Sequence, residues 1–265
     1  MKRQACKRLL TAAVLCAALT VPTRAARRSV PVQIDGNPIA VSAYVERGVT
    51  YVPLRALLNT MGVWDVWWDE ATGRAAAASD DTHLWADPAA DTVTVDEKTV
   101  RGRVTVENGV TYVPLRLVGE ALGCQVEWDP YLRGATVTSP GAAYDAGELY
   151  WLSRIIYAES GAESMTGQIA VGNVILNRVR SGSFPNTVEG VIFDRKDAVQ
   201  FEPVSNGRVY LPPTSQSVEA AKRALDGENV VGSALYFYAP ALSQGTWINA
   251  NRPYQQTIGC HRFYR

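Results

Sequence analysis

Histidine, cysteine and net charge are all scarce in this sequence. Its 265 residues include two histidines, His83 and His261, and four cysteines, too few for a multi-histidine catalytic zinc site or a disulfide framework. The 26 basic residues balance the 26 acidic ones, so no excess positive charge points to nucleic acid. The apolar content of 47% is typical of a protein with a core. At about 150 residues per domain, the length predicts two folded domains.

A long apolar run is also lacking. Residues 9–21 form an apolar stretch of about 13 residues, shorter than the roughly 20 that a membrane helix needs. Four basic residues precede the stretch, and Thr23-Arg24-Ala25 follows it, with small residues at positions −3 and −1 of a cleavage site. This layout predicts a secretory signal peptide over residues 1–25 and no membrane association after its cleavage. Leu15 stands before Cys16 where a lipidation site requires a small residue, so we expect no lipid anchor.

Cleavage would make the exported chain mildly acidic. It removes five basic residues and leaves 21 basic against 26 acidic ones. Residues 26–143 carry the whole deficit, with 10 basic and 15 acidic side chains, whereas residues 144–265 hold 11 of each. We therefore expect no electrostatic attraction between the N-terminal half and anionic polymers. Only Cys124 and Cys260 would remain, and the sequence leaves their pairing open.

An internal repeat organises residues 30–138. The eight residues 48–55 recur letter for letter as residues 109–116, at an offset of 61. The flanks of the two copies also match, as Val32-Gln-Ile-Asp35 with Val93-Thr-Val-Asp96, Gly62 with Gly123, and Trp68-Asp69 with Trp128-Asp129. Such self-similarity indicates two units that share one core.

Each copy predicts a small α+β unit. Alternating apolar residues predict strands at 30–34 and 92–95. A short strand at 51–52 or 112–113 stops at a proline, which fits the first turn of a following helix at 54–60 or 115–122. Gly62 and Gly123 then predict left-handed helix caps. A hairpin through the Trp-Asp pair closes each unit.

These motifs resemble the copper amine oxidase N-terminal-like, or stalk, domain of exported Gram-positive proteins. We nevertheless expect no copper and no other metal or cofactor, because His83 is the one histidine of the region. Arg55 and Arg116 have two interpretations: a structural pairing with an acid such as Asp69 or Asp129, which we favour, or ligand binding. The tryptophans are interpreted as core and rim packing rather than a sugar platform, at positions 64, 67, 68, 85 and 128. A binding role for the module stays open.

A second domain, residues 148–265, is predicted to follow a linker at residues 139–147 that is rich in small and helix-breaking residues. Residues 148–160 have helical spacing, with Leu149, Leu152, Ile156 and Glu159 on one stripe. Gly161 ends the helix, so the Glu159 carboxylate would lie at the negative end of the helix dipole and partly buried. Both effects favour a protonated acid able to donate a proton. The alternative is an outward-facing glutamate, or one paired with Arg154.

Several blocks of this second domain together resemble the SleB/CwlJ-type cell wall hydrolase family. They are residues 155–160 (Ile-Ile-Tyr-Ala-Glu-Ser), 167–179, 183–186, 200–207, 234–238 and 258–264. The resemblance implies a mainly helical, lysozyme-like domain that cleaves peptidoglycan, including spore cortex, as a lytic transglycosylase. It also implies that Glu159 is the catalytic acid. A hydrolase would need a second carboxylate, for which the candidates are Glu163, Asp194, Asp197 and Glu202.

Aromatic and amide side chains supply candidates for glycan binding. We expect Gln200, Tyr236 and Trp247 to line the cleft, with core packing as the alternative for the aromatic residues. The helix at 165–180 should be buried, and its Asn173 and Asn177 are interpreted as structural rather than substrate contacts. The pair Cys260-His261 would suit a cysteine peptidase, but neighbours on a strand point to opposite faces.

The sequence therefore predicts an exported α+β protein of two domains. A β-rich duplicated stalk module would precede a mainly helical lysozyme/transglycosylase-like catalytic domain. The expected partner is peptidoglycan, together with another envelope or spore protein as an open alternative, in the wall or spore envelope of a Gram-positive bacterium. The competing hypothesis is a non-catalytic envelope-binding or spore-coat structural protein.

Overall fold

We describe a computed structural model over residues 27–39, 42–196 and 199–265. The predicted signal peptide, residues 1–25, lies outside these ranges, as does Asp197. Within them the chain forms a β-rich N-terminal module that ends at Thr138 and a mainly helical C-terminal lobe that begins at Ala146. None of the helices in these ranges has the length and hydropathy that a membrane span requires.

The two repeats meet at a central pair of strands. The strands of the N-terminal module are β1 (Arg28–Val30), β2 (Val32–Ile34), β3 (Asn37–Pro38), β4 (Ala43–Glu46), β5 (Val49–Pro53), β6 (Asp65–Asp69), β7 (Arg74–Ala78), β8 (His83–Asp87), β9 (Thr92–Val95), β10 (Lys98–Arg101), β11 (Thr105–Glu107), β12 (Val110–Pro114), β13 (Gln125–Asp129) and β14 (Gly134–Thr138). Strands β5 and β12 pair antiparallel with Val52 opposite Val113. The identical segments thus face each other about a local twofold, in a sheet ordered β1-β4-β5-β12-β11.

The sheets also exchange strands between the repeats. The strand predicted at 30–34 is broken at Pro31, so that β1 joins the central sheet and β2 pairs in parallel with β14 of the second repeat. Proline lacks the N–H that a continuous ladder would need. Strands β13 and β3 extend the β14–β2 pair into the sheet β13-β14-β2-β3, and strands β6 to β10 form a third sheet, β10-β9-β8-β7-β6. One buried apolar cluster includes residues from both repeats, which confirms the predicted shared core.

Each repeat has one helix that begins directly after its proline. These are α1 (Leu54–Met61) and α2 (Leu115–Ala121). The predicted left-handed glycine is present after α2, where Gly123 has a φ of 79°. It is absent after α1, where Gly62 is extended with a φ of 165°. The first copy carries one more residue between Gly62 and its Trp-Asp pair than the second, so its chain leaves the helix by a different path.

The exposed residues of the module correct two predictions. Trp67, Trp68, Trp85 and Trp128 are 36–43% exposed, and only Trp64 of the five tryptophans packs against the core. Arg55 and Arg116 are exposed and form no ion pair with Asp69 or Asp129 in the described residues; Arg116 instead lies 3.6 Å from Glu120. Both aspartates accept backbone N–H groups of their own turns. The core part of the predicted core and rim packing thus holds for Trp64 alone, the other four tryptophans are exposed, and the predicted Arg–Asp pairing was wrong.

A buried helix organises the C-terminal lobe. Its elements are α3 (Ala146–Ser160), α4 (Met165–Arg180), α5 (Val188–Ile192), α6 (Glu202–Asn206), the 3-10 turn η1 (Arg208–Tyr210), α7 (Ser215–Leu225), β15 (Tyr236–Tyr238), α8 (Thr246–Asn251), β16 (Tyr254–Ile258) and β17 (His261–Tyr264). Helix α4 has the predicted bounds. A side chain at Gly172 would clash with Ile156 of α3, so the glycine permits close helix packing.

The two asparagines of α4 hold the lobe together. The amide of Asn173 donates to the Glu228 carbonyl at 2.7 Å and accepts from the Val230 N–H at 2.8 Å. Asn177 donates to the carbonyls of Gly232 and Ala234. Both side chains anchor the segment between α7 and β15, which confirms their structural interpretation.

The lobe packs directly against the N-terminal module. Helix α3 begins at Ala146, two residues before the predicted start, and Asp145 caps it by accepting the Glu148 N–H. Trp151, fully buried in α3, donates its indole N–H to the Asp129 carboxylate at the end of β13. Tyr131 stacks on Phe193 with ring centroids 4.1 Å apart. The first helix of the lobe is thus fixed against the second repeat.

Candidate active site

Glu159 lies on the last turn of α3, one residue before the helix ends. The stripe that leads to it is buried, with Leu149 7% exposed and Leu152 and Ile156 fully enclosed. Glu159 itself is half-buried. Within the described residues no group donates a hydrogen bond to its carboxyl or forms an ion pair with it. The Glu159 carboxyl is therefore held in place by the helix without being used in a hydrogen bond or ion pair of the described residues.

Burial changes the acidity of this carboxyl. It raises the pKa of Glu159 from 4.5 to about 7, and the negative charge of Glu202 acts in the same direction. The positive charge of Arg208 opposes the rise. A carboxyl with such a pKa is partly protonated at neutral pH, so Glu159 can both donate and accept a proton there.

Two short elements bring those charges to Glu159. Helix α6 begins at Glu202, after Phe201, whose ring is buried. Gly207 follows in the left-handed conformation with a φ of 81° and turns the chain into η1, which starts at Arg208. Glu202 and Arg208 are both exposed. The site thus has a half-buried acid from α3 and one exposed charge of each sign from the α6–η1 segment.

Arg154 does not pair with Glu159, so this alternative is wrong. Its guanidinium lies 3.5 Å from the centroid of the Tyr150 ring and donates to the Tyr150 carbonyl. The side chain is buried, and burial lowers its pKa. Arg154 is a packing residue on another face of α3.

The other candidate carboxylates have different surroundings. Glu163 accepts the Cys260 N–H at 3.1 Å and lies 3.6 Å from Nδ1 of His261, so it ties the end of α3 to the β16–β17 turn. Asp194 accepts the Lys196 N–H within its own turn. Asp197 is outside the described residues. Among the three that are described, Glu202 is the one whose charge acts on the pKa of Glu159.

The pair Cys260-His261 does not form a nucleophilic site. Cys260 is exposed in a turn, whereas His261 is buried at the start of β17. The Glu163 carboxylate raises the pKa of the Cys260 thiol, which disfavours the reactive thiolate. Cys124 is buried, and both thiols are free.

Two of the three predicted glycan-binding residues meet. The rings of Tyr236 and Trp247 lie 6.1 Å apart, edge to face, and the Arg252 guanidinium lies 4.4 Å from the Tyr236 centroid. Trp247 is 56% exposed, so core packing does not explain it. The third residue, Gln200, is half-buried on the segment that leads into α6.

Arg178 is a candidate site residue that sequence reasoning missed. It is buried in α4, donates to the Leu235 carbonyl at 2.7 Å, and lies among the rings of Phe184, Phe201 and Tyr236. Burial lowers its pKa to about 10, and its Nη1 has no hydrogen-bond partner. A cationic residue on the face of α4 otherwise predicted to be apolar was the available signal. Arg178 joins the Gln200–Phe201 segment to Tyr236.

The N-terminal module does not have the donors of a copper site. His83 is exposed and stacks on Trp85 with ring centroids 5.9 Å apart. No three His, Cys, Asp or Glu side chains converge within the described ranges. Copper sites use several imidazole or sulfur ligands, so the residues present do not fit the metal.

Comparisons with known proteins identify both halves. Residues 33–137 match the copper amine oxidase N-terminal domain, and residues 162–264 match the cell wall hydrolase family. The chain joins a copper amine oxidase N-terminal domain to a cell wall hydrolase domain. This confirms both resemblances. The match to the hydrolase family starts three residues after Glu159, so the assignment of that residue rests on its geometry.

Several relatives of the hydrolase domain are spore cortex-lytic enzymes. The spore cortex-lytic enzyme of Bacillus cereus is 38% identical over 134 residues, which is 51% of this chain and 49% of that protein. The enzyme of Bacillus subtilis is 36% identical over 124 residues, 47% of this chain and 39% of that protein. The chain thus spans about half the length of these curated relatives or less. The catalytic domain of the germination-specific lytic transglycosylase SleB from Bacillus anthracis is 39% identical; the alignment covers 48% of this chain and 99% of that domain, with a TM-score of 0.43.

Proposed function

We propose that this protein cleaves the glycan backbone of peptidoglycan with Glu159 as its catalytic residue. The observation that carries the proposal is the half-buried carboxyl of Glu159, without a hydrogen-bonding partner in the described residues and with a pKa raised to about 7. A group of this kind protonates a glycosidic oxygen at neutral pH. The hydrolase domain and its cortex-lytic relatives support the choice of polymer.

The reaction is a lytic transglycosylation that needs one carboxyl. Glu159 donates its proton to the glycosidic oxygen as the bond from that oxygen to the muramic acid anomeric carbon breaks. The 6-hydroxyl oxygen of the same muramic acid bonds to the anomeric carbon, and its proton returns to Glu159. The products are a 1,6-anhydromuramyl end and a free 4-hydroxyl. Glu159 is thereby restored without water.

Glu202 supports Glu159 electrostatically. It is exposed, and its negative charge adds to the effect of burial in raising the pKa of Glu159. A hydrolase would instead use a second carboxylate to activate water, and Glu202 is the best placed for that role. The chemical ends of the products distinguish the two reactions.

The substrate strand lies along the aromatic side of the lobe. Tyr236 and Trp247 offer ring faces and edges to the sugars, and Gln200 lies on the segment that leads into α6. Arg252 and the buried Arg178 hold Tyr236 in place through cation–π contacts. An uncharged glycan suits a surface of this composition.

The domain organisation completes the proposal. Residues 1–25 direct export and are removed, residues 30–138 form the stalk, residues 139–147 join the two parts, and residues 148–265 carry the activity. The site of action is the cell wall or spore envelope of a Gram-positive bacterium. Another envelope or spore protein is the candidate for a further partner.

The test is digestion of two substrates by the purified mature chain, vegetative peptidoglycan and spore cortex, with mass analysis of the products. The expected result is muropeptides with anhydro ends from at least one substrate. Release from cortex alone would indicate recognition of its muramic-δ-lactam. Water-derived reducing ends would convert the mechanism to hydrolysis, and no release from either substrate would favour the structural-protein hypothesis.

A further inference from the structure

Two grooves lie in the copper amine oxidase N-terminal domain, each where the helix of one repeat meets a hairpin of the other. Groove 1 is lined by Arg55 of α1, Trp68 of β6 and residues 109–111 of the β11–β12 hairpin, and has a volume of about 1020 Å³. Groove 2 is lined by Arg116 of α2, Trp128 of β13 and residues 48–50 of the β4–β5 hairpin, with about 380 Å³. Each groove therefore needs both repeats.

The grooves are equivalent under the repeat. Arg55 corresponds to Arg116 at the offset of 61, and Trp68 corresponds to Trp128 at the offset of 60. The hairpin segments also correspond at the offset of 61, because residues 48–50 and 109–111 are both Gly-Val-Thr. The twofold between Val52 and Val113 relates one groove to the other. The duplication has thus produced two copies of one surface.

The fold does not account for the exposed residues shared by the grooves. Core packing explains identical buried positions such as Val52 and Val113, and the left-handed φ of 79° and 76° explains Gly48 and Gly109. The exposed residues common to the two grooves have no such explanation: Val49, Val110, Trp68, Trp128, Arg55 and Arg116. Neither arginine contacts the neighbouring aspartate that would give it a common structural role. Identical exposed residues without a packing role indicate a ligand.

The lining favours an uncharged sugar polymer. The face of an exposed indole packs against the C–H face of a pyranose ring, and arginine presents five N–H donors to hydroxyl and amide oxygens. Each groove contains one acidic residue, Glu70 or Glu127, which balances its arginine. The surrounding domain is acidic, so an anionic ligand would be repelled. Two sites related by the repeat also match a ligand built from repeating units.

We propose that grooves 1 and 2 bind chains of β-1,4-linked N-acetylhexosamine. The tryptophan of each groove stacks on a sugar ring, and the arginine donates to the acetamido carbonyl and ring hydroxyls. The inference rests on the proposed function for the identity of the polymer, whose backbone consists of such sugars. Groove 1 is the tighter site because it is larger and contains a second indole, Trp67, where groove 2 has Glu127. Binding at both grooves would keep the hydrolase domain on its substrate.

The test is calorimetric titration of the full chain, carrying Glu159→Gln to prevent cleavage, with chitohexaose. Trp68→Ala and Trp128→Ala are each expected to weaken binding at their own groove by about ten-fold or more, because truncated tryptophans dominate interface energetics. The double variant then leaves only the binding that belongs to the hydrolase cleft. Trp85→Ala is the matched control, since Trp85 is similarly exposed on the same domain but lines neither groove, and it is expected to bind as the parent does.

A second pair of variants guards against misfolding. Arg55→Ala and Arg116→Ala alter exposed helix residues and are expected to reproduce the groove-specific losses, whereas Arg101→Ala, exposed outside both grooves, is not. Affinity is expected to stay constant as salt is raised, because the ligand is uncharged. Equal affinity in the parent and the double tryptophan variant would overturn the proposal, as would a loss in Trp85→Ala alone. Because chitohexaose binding requires no cleavage, a chain that binds in the grooves but never releases muropeptides would refute the proposed function alone.

Discussion

Asp129 of the second repeat accepts a hydrogen bond from the indole of Trp151 in α3, the helix that carries Glu159 on its last turn. Trp151 is fully buried, and Asp129 is 8% exposed. The same carboxylate accepts the backbone N–H groups of Tyr131 and Leu132 through its other oxygen. One side chain therefore both shapes the β13–β14 turn and holds the helix of the hydrolase domain against the stalk.

Replacement of Asp129 is expected to uncouple the two domains. In Asp129→Asn, one amide oxygen still caps the turn, but the –NH₂ group faces the indole N–H, so two donors meet. A hydrogen bond to a charged group contributes about 1.5–3 kcal/mol, and we expect the free energy of unfolding to fall by that amount in a denaturant titration. Asp69→Asn is the control, because Asp69 caps the equivalent turn in the first repeat and has no indole partner. Equal losses in the two variants would contradict the coupling.

The charges around Glu159 should set the pH profile of the proposed cleavage. A catalytic acid works when protonated, so activity falls as the pH rises through its pKa. Glu202→Gln removes a charge that raises the pKa of Glu159, and Arg208→Gln removes one that lowers it. The alkaline limb of kcat/KM should move to lower pH in the first variant and to higher pH in the second, each by less than about one pH unit because both side chains are exposed.

The opposite direction of the two shifts is the internal control. A shift of the alkaline limb in the same direction in both variants would refute the electrostatic account. Abolition of activity in Glu202→Gln, in place of a shift, would identify Glu202 as the base of a hydrolysis.

Glu159 should also make the stability of the protein depend on pH. Its pKa in the folded chain, about 7, is above its ordinary value of 4.5, so the folded chain binds this proton more tightly. The resulting stabilisation is fully present below pH 4.5 and is lost as the pH rises through about 7. Glu159→Gln is neutral throughout and should therefore gain Tm relative to the parent between pH 5 and pH 8. Glu219→Gln, an exposed glutamate on α7, should show no such pH-dependent gain.

Asn173 should matter for folding more than for substrate binding. Asn173→Ala leaves the Glu228 carbonyl and the Val230 N–H without their partners, a cost of about 1–3 kcal/mol. The expected result is a lower urea midpoint with an unchanged KM for the protein that remains folded. Asn186→Ala, at an exposed position, should change neither. A raised KM with normal stability would instead place Asn173 in the cleft.

The sequence predicted what depends on local patterns. The repeat located the strands and helices of both copies, and the apolar spacing of α4 gave its bounds. The apolar stripe and the helix end made Glu159 a candidate, and the resemblance of residues 155–160 to the cell wall hydrolase family gave it the catalytic role. The charges that act on its pKa were beyond this reasoning, because Glu202 is 43 positions away and Arg208 follows the left-handed turn at Gly207.

The errors arose where tertiary contacts override local pattern. Arg55 and Arg116 were predicted to pair with nearby aspartates. The carboxylates of those aspartates instead accept backbone N–H groups of their own turns. The tryptophans were assigned to core and rim packing because large aromatic side chains dominate the packing of cores. Four of them are instead 36–43% exposed, and only Trp64 packs against the buried cluster. The exchange of strands between the repeats could not be predicted, because it depends on pairing between distant segments.

The central claim is that one carboxyl, that of Glu159, performs the cleavage. The most direct measurement compares muropeptide release from cortex and vegetative peptidoglycan by the parent, Glu159→Gln and the control Glu219→Gln, with mass analysis of the ends and circular dichroism to confirm folding. The account predicts anhydro ends from the parent and the control, and a rate at least about 10²-fold lower for Glu159→Gln. Release by folded Glu159→Gln at the rate of the parent would contradict it.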